Sequence, residues 1–149
     1  MIERVTSAIG KGLFAGLVGT AAMTLSSTME AKLRDRRASE TPAEAICRLL
    51  GVEALGEREK SRLTNLVHWG YGTGLGMLRG LLAVARLEGL PAAGVFFAAV
   101  WGGELVALPA LDLSPPVTKW GRHEVAADLL HHAVYVTATS LAYQSLDRE

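Results

Sequence analysis

Glu30, His68, Glu104, Asp128, His131 and His132 are the residues whose types and spacing can do chemistry. They fall inside, or at the ends of, stretches that are otherwise apolar. An ionisable group in such a place is expensive to keep and is a functional hypothesis by default. Neutral imidazoles and carboxylates together suit a transition metal. Asp128-x-x-His131 imitates the acid-x-x-His pair of di-iron helical bundles, and Glu30 and Glu104 imitate their single carboxylates. The second such pair is missing, because Asn65 stands three residues before His68. A haem held by His68 with His131 or His132 has the same facing-histidine requirement. A proton relay needs only titratable groups within hydrogen-bond reach, and histidine titrates near neutral pH. Against all three stands packing alone, in which each buried polar contact holds helices together for ~0.6–2 kcal/mol.

Four apolar runs must position these groups: about 9–29, 63–85, 91–111 and 124–143. Each approaches the ~20 residues that cross a ~30 Å hydrocarbon core. No alternating strand pattern is evident. The fold class expected is therefore all-α: one domain over residues 1–149, an integral membrane four-helix bundle. Residues 30–62 form a polar connection containing a short amphipathic helix. Thr41-Pro42-Ala43-Glu44 opens that helix with a capping box, and Gly51 stops it. Met1 to Gly10 reads as a polar lead. No small-x-small cleavage site follows the first run, which is expected to stay as a span rather than a signal peptide. Pro91 opens the third run, and Pro109 kinks or ends it.

The second run, Leu63 to Arg86, is the expected hub. Gly72, Gly76 and Gly80 recur at four-residue spacing, as Gly12 and Gly16 do in the first run. Small residues at that spacing let helix backbones approach closely. These glycines are the expected packing surface, within the bundle and between copies in a homo-oligomer.

At 100° per residue, Glu124, Asp128, His131 and Tyr135 share one narrow arc of the fourth run, with His132 at its edge. Trp101 and Glu104 share a face of the third, and Gly16, Thr20, Thr24 and Ser27 form a stripe on the first. At ~1.5 Å per residue, His68, Glu104 and His131 lie ~8–11 Å below one surface. The expectation is one shared pocket of His68, Glu104, Asp128 and His131, with Glu30 nearby and Arg79 outside it.

Composition sets bounds on the rest. Formal net charge is zero, so no basic field argues for nucleic acid. The single cysteine, Cys47, excludes an internal disulfide. Gly70-Tyr71-Gly72 looks like the centre of a potassium filter, but His68 and Trp69 stand where Thr and Val belong. No dinucleotide fingerprint follows a strand, and no Ser, Thr or Cys sits in a nucleophile motif. The first connection carries eight Lys/Arg and the third carries Lys119 and Arg122, against Arg4, Lys11, Arg86 and Arg148 on the other face. The positive-inside rule then puts 30–62 and 112–123 in the cytoplasm and both termini outside.

Four segments taken together resemble one family. GLFAGLVGTAAMTL, LVHWGYGTGLGMLRG, VWGGELVALPALDLSPP and DLLHHAVYVTATSLAY are similar to YagU-type bacterial inner-membrane proteins, a family of small multi-pass chains. The resemblance covers most of the chain apart from the charged connection. It implies a helical inner-membrane protein with a link to survival at acid pH, and it carries over no catalytic residues. The leading expectation is a bilayer protein whose His/carboxylate cluster binds a metal or relays protons. A structural membrane subunit and a membrane enzyme with an unrecognised site are the alternatives.

Overall fold

The long helices carry proline only near their ends, since a proline in a helix interior would remove a backbone hydrogen bond. The computed structural model describes residues 1–35, 46–49, 51 and 56–148. Helix α1 spans Ile2–Leu33, α2 Glu57–Val84, α3 Gly89–Ala110 and α4 Arg122–Asp147. A single 3-10 turn, Val117–Lys119, interrupts the last loop. Among the described residues there is no strand. Residues 46–49 are helical, whereas the capping box at 41–44 lies outside the described residues.

The boundaries follow local chemistry. Pro109 is the penultimate residue of α3, and the chain leaves that helix with Asp112 at φ 53°. Arg86 and Gly89, at φ 62° and 61°, make the tight reversal between α2 and α3. At the start of α4 the Glu124 carboxylate accepts the Gly121 N–H at 2.8 Å, closing a cap. Glu124 thus serves the helix end rather than the polar stripe. The expected polar lead is instead the first turns of α1. Ala8 packs against Gly80, and Lys11 pairs with Asp147 at 2.9 Å, so these turns have tertiary support.

Helix α1, not α2, is the one the others gather on: α2 and α4 pack along it, and α3 touches α2 and α4 more lightly. Glycine decides this. A Cβ on Gly12 would stand 2.5 Å from the Gly76 carbonyl oxygen, and one on Gly16 equally close to that of Thr73. Gly72, Gly76 and Gly80 meet Thr20, Gly12 and Ala8 in turn. All five glycines expected to pack helices therefore do so within one chain. On the other side of α1, Gly19 admits Tyr135 and Thr139 of α4. Of the residues of α3, only Ala92, Phe96 and Val100 are buried; the latter two join Tyr135 and Val136 in the main apolar cluster.

Among the described residues two helices, α1 and α3, are long and apolar enough to cross a membrane. The sequence leads one to expect four. Helices α2 and α4 fall short on hydropathy, which the glycines, His68 and Arg79 lower in α2 and His131, His132 and the hydroxyl residues lower in α4.

Candidate metal centre

Adjacent residues on a helix point about 100° apart, and here His131 and His132 face different neighbouring helices. His131 turns to α1, where its Nδ1 lies 2.8 Å from Ser26 Oγ and its Nε2 4.0 Å from Glu30. His132 turns to α3, where its Nε2 lies 2.5 Å from Glu104 Oε2. His68 takes a third direction. Its Nε2 is 2.9 Å from Thr24 Oγ1, and the Thr24 hydroxyl donates its own hydrogen to the Thr20 carbonyl at 2.7 Å. The Thr24 oxygen can then only accept, so His68 carries its proton on Nε2.

The single shared pocket expected from the sequence is thus divided into three. Glu104, Asp128 and His132 come together, each offering one ligand atom within 4.8 Å of the others. His131 and Glu30 form a second contact with Ser26, and Glu30 also holds Arg34 at 2.9 Å. His68 stands apart with Thr24. The three imidazoles are bonded to different partners rather than presented to one another, so a haem between facing histidines has no support in this geometry. Arg79 lies away from all of them, over the Tyr143 ring.

The arrangement around His132 suits a cation. Its Nδ1 is 2.9 Å from the Asp128 backbone carbonyl, one turn back, and a carbonyl only accepts. Nδ1 therefore carries the proton and Nε2 is the nitrogen left for a metal. Asp128 is oriented in turn by Trp101, whose indole N–H donates to Oδ2 at 2.7 Å, while Oδ1 lies 3.6 Å from the protonated Nδ1 of His132. Trp101 is itself seated against Phe97, with ring centres 5.5 Å apart. His132 is buried, and the two acids are partly so.

One nitrogen and two carboxylate oxygens fit a divalent ion such as Zn²⁺, Fe²⁺ or Mn²⁺. Ligands ~2.1 Å from a tetrahedral ion stand roughly 3.4 Å apart. The His132–Glu104 contact must open by about 1 Å, and the widest pair must close by up to about 1.4 Å. Both are side-chain movements. Sequence spacing gave His132 too small a part and missed Trp101 as the partner of Asp128. The i,i+4 relation of Asp128 to His132 was the available signal, and the i,i+3 relation to His131 competed with it.

Fold and site together define an all-α protein with a His/carboxylate cluster at one end of its helices. No family model, curated protein or solved structure matches the chain.

Proposed function

We propose that this chain is a four-span helical membrane protein that holds a divalent metal ion at Glu104, Asp128 and His132. The observation that carries the reading is the convergence of those three side chains, with Nδ1 of His132 already committed to a carbonyl. The distribution of polarity supports the membrane part. Arg79, His131, His132, Thr20, Thr139 and Ser140 are buried, while Phe14, Leu25, Met29, Leu66, Val106 and Leu141 are exposed. In the most apolar stretches of α1 and α3, only 33% and 17% of residues are covered. A core helix of a water-soluble protein would be covered far more completely. The cytoplasmic placement of 30–62 and 112–123, a homo-oligomer, and the acid-pH role implied by the YagU resemblance belong to the same proposal.

The test is metal content. Detergent-purified protein loaded with Zn²⁺, Mn²⁺ or Fe²⁺ and desalted should retain about one ion per chain, with water completing the coordination. Glu104→Gln and His132→Ala should lose it, and His131→Ala should keep it. Equal retention by wild type and His132→Ala rejects the site.

A second reading is favoured by the 2.5 Å approach of His132 Nε2 to Glu104, which places one proton between two titratable groups. There the pair passes protons and needs no metal. Liposomes containing the protein should then show pH-driven proton flux that His132→Ala abolishes. Unchanged flux in that variant removes the relay.

A further inference from the structure

At the other end of the helices lies a pit of about 180 Å³, and its lining is chemically selective. Arg4, Ser7 and Lys11 come from one face of α1, Tyr143 and Asp147 from the last turns of α4, and Glu88 from the turn before α3. The pit is separate from the His/carboxylate cluster. On α4, His132 and Asp147 are fifteen residues apart, roughly 22 Å at ~1.5 Å per residue.

Behind the pit is a cation that the fold leaves incompletely satisfied. Arg79 is 1% exposed, and its Nε and Nη1 have no hydrogen-bond partner. Its guanidinium rests 4.8 Å from the centre of the Tyr143 ring, which lines the pit. A buried guanidinium is costly unless negative charge is near it. Lys11 is already paired with Asp147 at 2.9 Å. Arg4 and Glu88 face the same pit, and among the described residues neither has an ion-pair partner. The site therefore offers cations for an anion and a separate carboxylate for a cation.

We propose that this pit binds a phosphoethanolamine group. The phosphate sits at Arg4, with the charge of Arg79 behind it and Lys11 still held by Asp147, and the ammonium sits at Glu88. Arginine's planar fork matches phosphate oxygens, and a primary ammonium donates directly to a carboxylate. About six water volumes of ~30 Å³ fit such a pit, enough for a headgroup but not for acyl chains. A bare phosphate would leave Glu88 uncompensated, and a trimethylated amine could not donate to it. The group can belong to a lipid headgroup or to the free phosphomonoester.

The full chain in detergent, with chelator present so that metal plays no part, is titrated with dioleoyl-phosphatidylethanolamine or dioleoyl-phosphatidylglycerol and read by native mass spectrometry. Free phosphoethanolamine and inorganic phosphate are titrated by calorimetry. The variants Arg4→Gln and Glu88→Gln change exposed side chains and leave the helix contacts intact. Retention of phosphatidylethanolamine over phosphatidylglycerol, about tenfold weaker in Arg4→Gln and without preference in Glu88→Gln, supports the lipid source; the tenfold corresponds to ~1.4 kcal/mol. Binding of free phosphoethanolamine with the same two sensitivities, and no lipid preference, supports the soluble source. If neither form binds, or if both variants bind like wild type, the proposal is overturned. None of these outcomes depends on the metal site. A chain that needs no detergent removes the membrane reading but leaves the free-ligand arm intact.

Discussion

At the scale of single residues, His131 and His132 are neighbours with opposite duties. One is tied to Ser26 on α1 and the other to Glu104 on α3. The consequence is sharp: exchanging one histidine for alanine should abolish metal retention, and exchanging the other should not. Trp101 gives a subtler test. Its indole N–H orients Asp128 and is not itself one of the candidate ligands. Partners of this kind typically contribute about 10–100-fold in affinity. Trp101→Phe should therefore weaken Zn²⁺ binding by about that factor in a competition titration, with helicity unchanged by circular dichroism. An unaltered affinity would mean that Asp128 does not ligate. A metal held there would compete with protons for Nε2 of His132. Since only the neutral ring ligates, affinity should fall as pH drops and be recovered on raising it. A pH-independent affinity would exclude His132 as a ligand.

At the scale of elements, the glycine crossing of α1 and α2 is the firmest contact and α3 the lightest. A leucine at Gly76 would drive its Cβ into the backbone of Gly12 and Gly16. Because the obstacle is backbone, the cost should exceed the ~1–3 kcal/mol usual for overpacking. Gly76→Leu should lower the thermal midpoint of the single chain sharply; loss of an oligomer with an intact chain would contradict the intramolecular crossing. Helix α3 is held by Ala92, Phe96 and Val100. Phe96→Ala opens a hole worth ~3–5 kcal/mol where α3 meets Tyr135. Since Glu104 rides on the same helix, that variant should also weaken metal binding although it changes no ligand. Normal affinity in Phe96→Ala would show that α3 is seated by something other than this contact.

At the scale of the whole molecule, polarity is turned inward. A buried arginine, two buried histidines and buried hydroxyls lie inside a shell of exposed Leu, Phe, Val and Met. Water rewards the reverse arrangement, whereas a hydrocarbon surround is indifferent to apolar surface and penalises unpaired polar groups. The chain should therefore stay with the membrane fraction through alkaline carbonate washing and leave it only with detergent. Release by carbonate alone would remove the bilayer from the account. The two polar sites lie at opposite ends of the helices, with the His/carboxylate cluster at the end carrying the charged connection and the pit at the end carrying both termini.

The sequence by itself determined the helical class, the helix ends near Pro91 and Pro109, and the placing of Trp101 with Glu104 on one face, because these depend on period, proline and short-range spacing. It also marked the glycine spacing at which helices could close on one another. What it could not determine was which helix lies against which. Helical phase places Asp128, His131 and His132 within one broad arc, but whether α1 or α3 stands before each side chain depends on the order of packing around α4. That order follows from contacts far apart in the chain, Gly12 on Gly76 and Gly19 on Tyr135, and those contacts split one expected pocket into a Glu104–Asp128–His132 cluster, a His131–Glu30 contact and a His68–Thr24 contact.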